Sequence, residues 1–364
     1  MAGDALHHAV TPRERGRFRA SAAYLRALPP YPGGKRRLLP LIFGLLDSVL
    51  PRASWANLTF ADPFLGGGSV SLTAKALGFG EVIASDAAEQ SALVGRALLS
   101  NSHTRLTPAA VLRLYEPAFP IDGAMPRLLE RLPPPCGGFL AAAWQHLHGG
   151  TYSGVERDLV ALLLVRWICR YFPLGLPTAT DAHRIASGDF DRVTAPRLAH
   201  YLRRGRDLLR PDTLLSIADE INQGVMPGNA RFVREDVFAF LPTVEADVVY
   251  LDPPYPATQS YERAFGLIEE FLGREPAEPS PFSSNRPPLD ELLAACAYIP
   301  VLVLSVGNAL LDEKQVRDLV TRHRQALRVI SIPYHHYHSV ASKEKNRRNR
   351  EFLVLATTRS GVRR

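Results

Sequence analysis

Cysteine is scarce in this chain of 364 residues. The three present, Cys136, Cys169 and Cys296, lie far apart and outside any CxxC or Cys/His spacing. That excludes a disulfide framework and a structural zinc site, and makes a reducing cytoplasm the expected location. Long hydrophobic runs are also missing. The longest, Leu159 to Val165, is broken by Arg166, well short of the roughly 20 residues a bilayer requires. The basic N-terminal stretch containing Thr11-Pro-Arg-Glu-Arg-Gly-Arg-Phe-Arg19 has no apolar signal-peptide core, so no membrane role is expected. No internal repeat is present, which excludes a solenoid or a propeller. His335-His-Tyr-His338 has no carboxylate or cysteine at ligand spacing, and no metal is expected. Acidic residues are the minority, 36 against 43 Lys and Arg, for a formal net charge of +7, a balance that suits a polyanionic partner.

Short apolar or β-branched runs are plentiful. They recur at 58–61, 81–84, 246–251, 299–304, 327–332 and 351–356 with helical patterns between several of them. This alternation predicts an α/β fold, a largely parallel sheet with helices on both faces. Between Ala97 and Asn229 strand signals thin out. Glu156 to Phe172 is apolar nearly all round, and Ala195 to Leu209 is amphipathic and rich in arginine. The chain thus divides into a basic arm (1–30), a first α/β part (31–96), a mostly helical insertion (97–229) and a second α/β part (230–364). A loop with five prolines, Pro276 to Pro288, interrupts the last.

Asp62-Pro-Phe64-Leu-Gly66-Gly-Gly68 follows the first apolar run and precedes a helical pattern. Glycines at that junction allow a sharp turn and let a ligand approach bare amides at a helix N-terminus. Asp86 follows the second run about 20 residues on, where nucleotide-binding α/β units place a carboxylate on ribose hydroxyls. The turn is neither a strict GxGxxG nor a P-loop, and the same residues fit an ordinary turn with a helix-capping aspartate. Upstream, Tyr31-Pro-Gly33-Gly34-Lys35 combines close backbone approach with a lysine able to pair with a carboxylate; a surface turn is its plain alternative.

Asp252-Pro253-Pro254-Tyr255 closes the run Val248-Val-Tyr-Leu251. Two prolines end the strand, fix φ and leave carbonyl acceptors in a rigid turn. That arrangement suits alkylation of an amine whose lone pair is delocalised into an aromatic ring. If Asp252 and the Pro253 carbonyl accept its two N–H groups, the lone pair can turn toward an in-line methyl donor. Tyr255 can stack on a base drawn out of a duplex. No free general base is needed for attack, because the proton becomes acidic only after transfer.

These three motifs, in this order, resemble the Dam-type (class alpha) N6-adenine-specific DNA methyltransferases over roughly the first and last thirds of the chain. The resemblance implies a Rossmann-like S-adenosylmethionine-dependent methyltransferase sheet with an inserted target-recognition domain. It further implies that Tyr31, Gly33, Gly34, Lys35, Asp62, the Phe64 to Gly68 turn and Asp86 hold S-adenosylmethionine, that Asp236 lies by the cofactor adenine, and that Asp252 to Tyr255 serve cofactor and target base. The chain departs from the pattern at Tyr31, where Trp is more usual, at Asp62, where Glu is commoner, and at Ala87, which replaces a frequent Asn.

Double-stranded DNA is the implied partner, and a restriction or defence-system partner is compatible with the family. The segment joining the last two runs carries Lys343, Lys345, Arg347, Arg348 and Arg350, which suit phosphate contact. Arg192, Arg197, Arg203, Arg204 and Arg206 mark a region of the insertion for DNA, whereas Arg166 and Arg170, one turn apart, suit structural acids. Cytosine N4 in DNA, an amino group in RNA or a protein glutamine remain alternative acceptors, and a non-catalytic DNA-binding subunit an alternative role.

Overall fold

The computed structural model describes residues 22–122, 124–172, 204–255, 261–274, 280–333 and 349–358. Their frame is a sheet of seven strands: β1 (Thr59–Asp62), β2 (Glu81–Ser85), β3 (Ala230–Val233), β4 (Val248–Leu251), β5 (Val301–Gly307), β6 (Gln325–Pro333) and β7 (Arg350–Thr357). Their order is β3-β2-β1-β4-β5-β7-β6. β1 to β5 are parallel, and β7 slots antiparallel between β5 and β6. This is the doubly wound, Rossmann-like α/β sheet expected from the alternating runs.

The period-two alternation of each strand explains the layers. Phe60, Val82, Ala84, Val248, Tyr250, Val303 and Leu353 point to one face, where they meet α1 (Leu39–Asp47) and α2 (Ser69–Ala76). Ala61, Ile83, Val249, Leu251, Leu302 and Val354 point to the other, against α8 (Val237–Phe240), α10 (Leu289–Ala295) and α11 (Glu313–His323). Because both faces are covered, the central strand β4 is buried at every residue. The start of α11 is fixed locally: Asp312 accepts the Gln315 amide while the Gln315 side chain accepts the Asp312 amide, a reciprocal cap.

Six of the seven strands coincide with the apolar runs; β3 was not expected. It is a short edge strand with no fully buried residue, so the hydrophobic alternation that announces the others is absent. A close approach secures it. After α3 (Glu89–Val94) the helix widens into a π-helical turn, Gly95–Leu99, and a Cβ on Gly95 would lie only 2.3 Å from the Phe232 ring. Glycine at 95 lets β3 pack there.

Among the described residues between β2 and β3 there is no strand beyond the start of β3 itself. The principal helices are α4 (Pro108–Leu112), α5 (Pro134–His148), α6 (Gly154–Tyr171) and α7 (Pro211–Asn222). The end of the arginine-rich pattern, residues 204–208, is helical, while Arg192, Arg197 and Arg203 lie outside the described residues. These helices do not form a detached core. They share one with Leu72 of α2, Leu93 and Val94 of α3, and Phe265 and Ile268 of α9 (Tyr261–Phe271). The all-round apolarity of α6 follows, because every residue from Leu159 to Cys169 is buried. Arg166 and Arg170 both bind Glu220 of α7, as structural partners of an acid.

Trp167 is fully buried, and its indole nitrogen donates to the Leu208 carbonyl at 2.9 Å. Trp167→Ala is expected to lower stability by about 3–5 kcal/mol, read from urea unfolding; a loss under about 1 kcal/mol would show that the helical layer is not tied into the common core.

Candidate active site

In an open α/β sheet the crevice for a ligand opens at the carboxyl ends of the strands where the order reverses. Here that point lies between β1 and β4. A cavity of about 340 Å³ occupies it. Each of the four strands around it ends in a carboxylate: Asp62 closes β1, Asp86 follows β2, Asp236 follows β3 and Asp252 follows β4. All four line the cavity with Glu235 and Glu269, and Lys35 is the cation among the described lining residues. A chamber so lined favours a cationic ligand.

The N-terminal motif reaches it from outside the sheet. Gly33, at φ 75°, allows the turn in which the Gly34 amide donates to the Tyr31 carbonyl at 3.1 Å. The turn lays Tyr31 on the glycine loop, where a Cβ on Gly67 would come within 2.6 Å of the Tyr31 Cβ. The loop glycines thus accommodate an aromatic residue of the same chain as well as any ligand. On its other side Tyr31 stacks on Phe265 of α9, 5.1 Å between ring centres. Gly68 does not line the cavity; at φ 75° it starts α2.

The carboxylates are heavily engaged. Asp62 accepts the Ser71 hydroxyl at 2.6 Å and the Phe64 amide at 3.2 Å. Burial nevertheless pushes its pKa up to about 7, and the nearby charges of Asp252 and Asp86 add to the rise. Asp86 accepts the Gly66 amide at 2.8 Å and the Ala88 amide at 3.0 Å, tying the glycine loop to β2, and burial raises its pKa too. Carboxylate lone pairs remain available for further donors. Asp236 caps α8 by accepting the Phe238 amide at 2.9 Å.

Asp252 sits at the cavity floor, its side chain 18% exposed and 2.9 Å from the Lys35 ammonium, which is itself only 3% exposed. Burial raises Asp252 to about 6; Lys35 opposes the rise and Glu351 assists it. Lys35 also donates to the Gly33 carbonyl at 2.8 Å and stands 4.8 Å above the centre of the Tyr255 ring. Pro254 lines the cavity, while Pro253 and Tyr255 do not. Tyr255 is buried, with its hydroxyl on Glu351.

Several lining residues carried no sequence signal. Glu269 of α9 accepts the amides of Glu89 and Gln90 at 3.1 and 2.8 Å, capping α3 beside Asp86. Phe282, from the proline-rich loop, packs edge-on against Phe64 at 5.2 Å and walls the cavity near Asp236. Their sequence neighbours are ordinary, and only the fold brings them in. Of the basic residues between the last two strands, Arg350 is described: it begins β7, exposed, and donates to the Ser331 hydroxyl at 3.1 Å. Lys343, Lys345, Arg347, Arg348 and the His335 to His338 run lie outside the described residues. No helix among the described residues is long and apolar enough to cross a membrane.

Residues 31–117, which carry the turn, the glycine loop and Asp86, match the family described as D12 class N6 adenine-specific DNA methyltransferase. The chain is also 27% identical over 133 residues to the Type II methyltransferase M2.HphI of Haemophilus parahaemolyticus, a stretch covering 35% of this chain and 39% of that protein. It therefore spans about two-fifths of the length of that curated relative. Both agree with the motif resemblance. Among solved structures it is similar to a putative RNA methyltransferase, PH1948, of Pyrococcus horikoshii (10% identity, TM-score 0.39, covering 96% of this chain and 100% of that one). It is similar as well to the rRNA methyltransferase aviRa of Streptomyces viridochromogenes (15% identity, TM-score 0.30, 88% and 84%).

A carboxyl whose folded pKa exceeds its unfolded value stabilises fully below the unfolded value and loses that contribution as pH rises through the folded one. For Asp62 the window runs from its ordinary 3.8 to about 7. The melting temperature of the ligand-free protein relative to Asp62→Asn is expected to fall across that window. A difference independent of pH would show that Asp62 ionises normally.

Proposed function

We propose that the chain is an S-adenosylmethionine-dependent methyltransferase acting on the exocyclic N6 of adenine in double-stranded DNA. The observation that carries this reading is the acidic cavity at the strand ends, lined by Asp252 and Pro254 of the strand-end turn and by Tyr31 to Lys35, the glycine loop and Asp86 from the matched segment 31–117. The donor set fits the cofactor. S-adenosylmethionine supplies a methyl group on a sulfonium cation, which suits a chamber lined by carboxylates, and about 340 Å³ falls within the usual range for small-molecule sites. Asp86 is assigned to its ribose hydroxyls, Asp236 with Phe64 and Phe282 to its adenine, and Lys35, with Tyr31 and the glycine loop, to its methionine end.

Asp252 and the Pro253 carbonyl accept the two N–H groups of the target amine and localise its lone pair; being preorganised, they cost no reorientation during reaction. The target base reaches them flipped out of the duplex. Tyr255 is assigned to stacking on it, which requires Lys35 to leave the ring face it covers here. The helical segment 97–229 is assigned to target recognition, and Lys343, Lys345, Arg347, Arg348 and Arg350 to binding phosphates.

Labelled S-adenosylmethionine offered with unmethylated duplex DNA, RNA and protein in parallel is expected to yield N6-methyladenine in DNA alone. Label confined to RNA, protein or cytosine would overturn the adenine-DNA reading. Asp252→Ala is expected to lower kcat by about 10³-fold or more with DNA binding largely intact, and a variant turning over normally would refute the assigned role. Alanine at Lys343, Lys345, Arg347 and Arg348 together is expected to weaken binding to duplexes of any sequence and to reduce the salt slope by about 1 for each phosphate no longer neutralised. An unchanged slope would remove that segment from the interface.

A further inference from the structure

We propose that Glu351 is a positioning residue of this site, holding Tyr255 and sharing Lys35 with Asp252 so that Asp252 stays a strong acceptor for the amine it binds. The inference rests on the methyl-transfer reading above. β7 carries Glu351 to the cavity floor by pairing it with Gly307 at the end of β5. Glu351 is completely buried at the head of a strand whose next six residues, Phe352 to Thr357, are buried too. One carboxylate oxygen, Oε1, accepts both the Tyr255 and Ser305 hydroxyls and lies 3.6 Å from the Lys35 ammonium. The other, Oε2, has no hydrogen-bond partner among the described residues.

A buried carboxylate with an unpaired oxygen is a costly means of fastening a strand. A hydrophobic residue would fill the place better if packing were its purpose. What the carboxylate does contribute is charge. Lys35 stands between two anions, so Asp252 does not receive its whole attraction. The groups facing Asp252 are Lys35 from the N-terminal turn, Asp62 from β1, Tyr250 from β4, Tyr255 from its own turn and Glu351 from β7. Among them Glu351 offsets the lysine most directly, and its charge pushes Asp252 in the direction of stronger proton affinity.

That affinity matters after the methyl group has moved. The amine nitrogen then carries a surplus proton; its N–H bond breaks as an O–H bond forms on Asp252. The partly exposed Asp252 returns to the carboxylate by releasing the proton to water. Asp252 paired with Lys35 alone would be a weaker base and a weaker hydrogen-bond acceptor.

Glu351→Gln preserves the shape and the acceptor for both hydroxyls but deletes the charge. The midpoint of the Asp252 carboxyl, followed by carbon-13 NMR without substrate, is expected to move to lower pH by about one unit, a tenfold change in proton affinity. The acid limb of the kcat profile on adenine-containing duplex is expected to move with it, kcat falling about tenfold and KM for DNA holding. Tyr255→Phe, which leaves the Glu351 charge less neutralised, is expected to move the midpoint the opposite way. It also serves as the test should Glu351→Gln fail to fold. Unmoved midpoints in folded variants would overturn the proposal. Shifted midpoints in a protein that methylates no DNA would support the coupling and overturn the functional reading instead.

Discussion

One ammonium group holds the cavity floor together. Lys35 lies within reach of Asp252 and Glu351 and over the Tyr255 ring, in a chamber whose remaining described charges are carboxylates. Without a cation there, several buried anions would be forced to protonate or to spread apart. Burial raises the pKa of both Asp62 and Asp252, and neighbouring carboxylates add to the rise. The carboxylates that line the cavity outnumber its one described cation, so the proposed fit of a sulfonium ligand and the crowding of negative charge at the strand ends have the same origin.

The sheet exists, in this sense, to bring those charges to one edge. Parallel strands present their carboxyl ends together, and the reversal between β1 and β4 parts the flanking helices enough to leave a crevice. The helical segment between β2 and β3 then buttresses the assembly, since its core is continuous with α2, α3 and α9. Through Phe265 on Tyr31 and Glu269 on the start of α3, α9 connects that layer directly to the cavity wall.

Much of this was legible in the residues. Six strands announced themselves because apolar alternation is a local property, and the glycine loop, Asp86 and Asp252 were legible because turn chemistry and strand ends are local as well. β3 escaped because an edge strand with half-exposed side chains lacks that alternation. Glu351 and Phe282 escaped for a different reason. Glu351 meets Tyr255 across 96 positions of sequence, and nothing beside it marks it as more than the charged start of a strand. Tyr255 itself illustrates how far a motif can go: its position at the strand end was readable, but not that its ring lies under a lysine with its hydroxyl turned to β7. Contacts between remote segments depend on topology, and topology is only partly written in local pattern.

The antiparallel insertion of β7 has a consequence for how the protein comes into being. β5 and β6 are made first and acquire their shared neighbour only when residues 350–357 arrive. A chain that has not reached residue 351 therefore has Lys35 and Asp252 without Glu351, the second carboxylate within reach of that ammonium. The order of synthesis thus delivers the motifs at 31–35, 62–68 and 252–255 before β7, whose Glu351 completes the contacts beneath them.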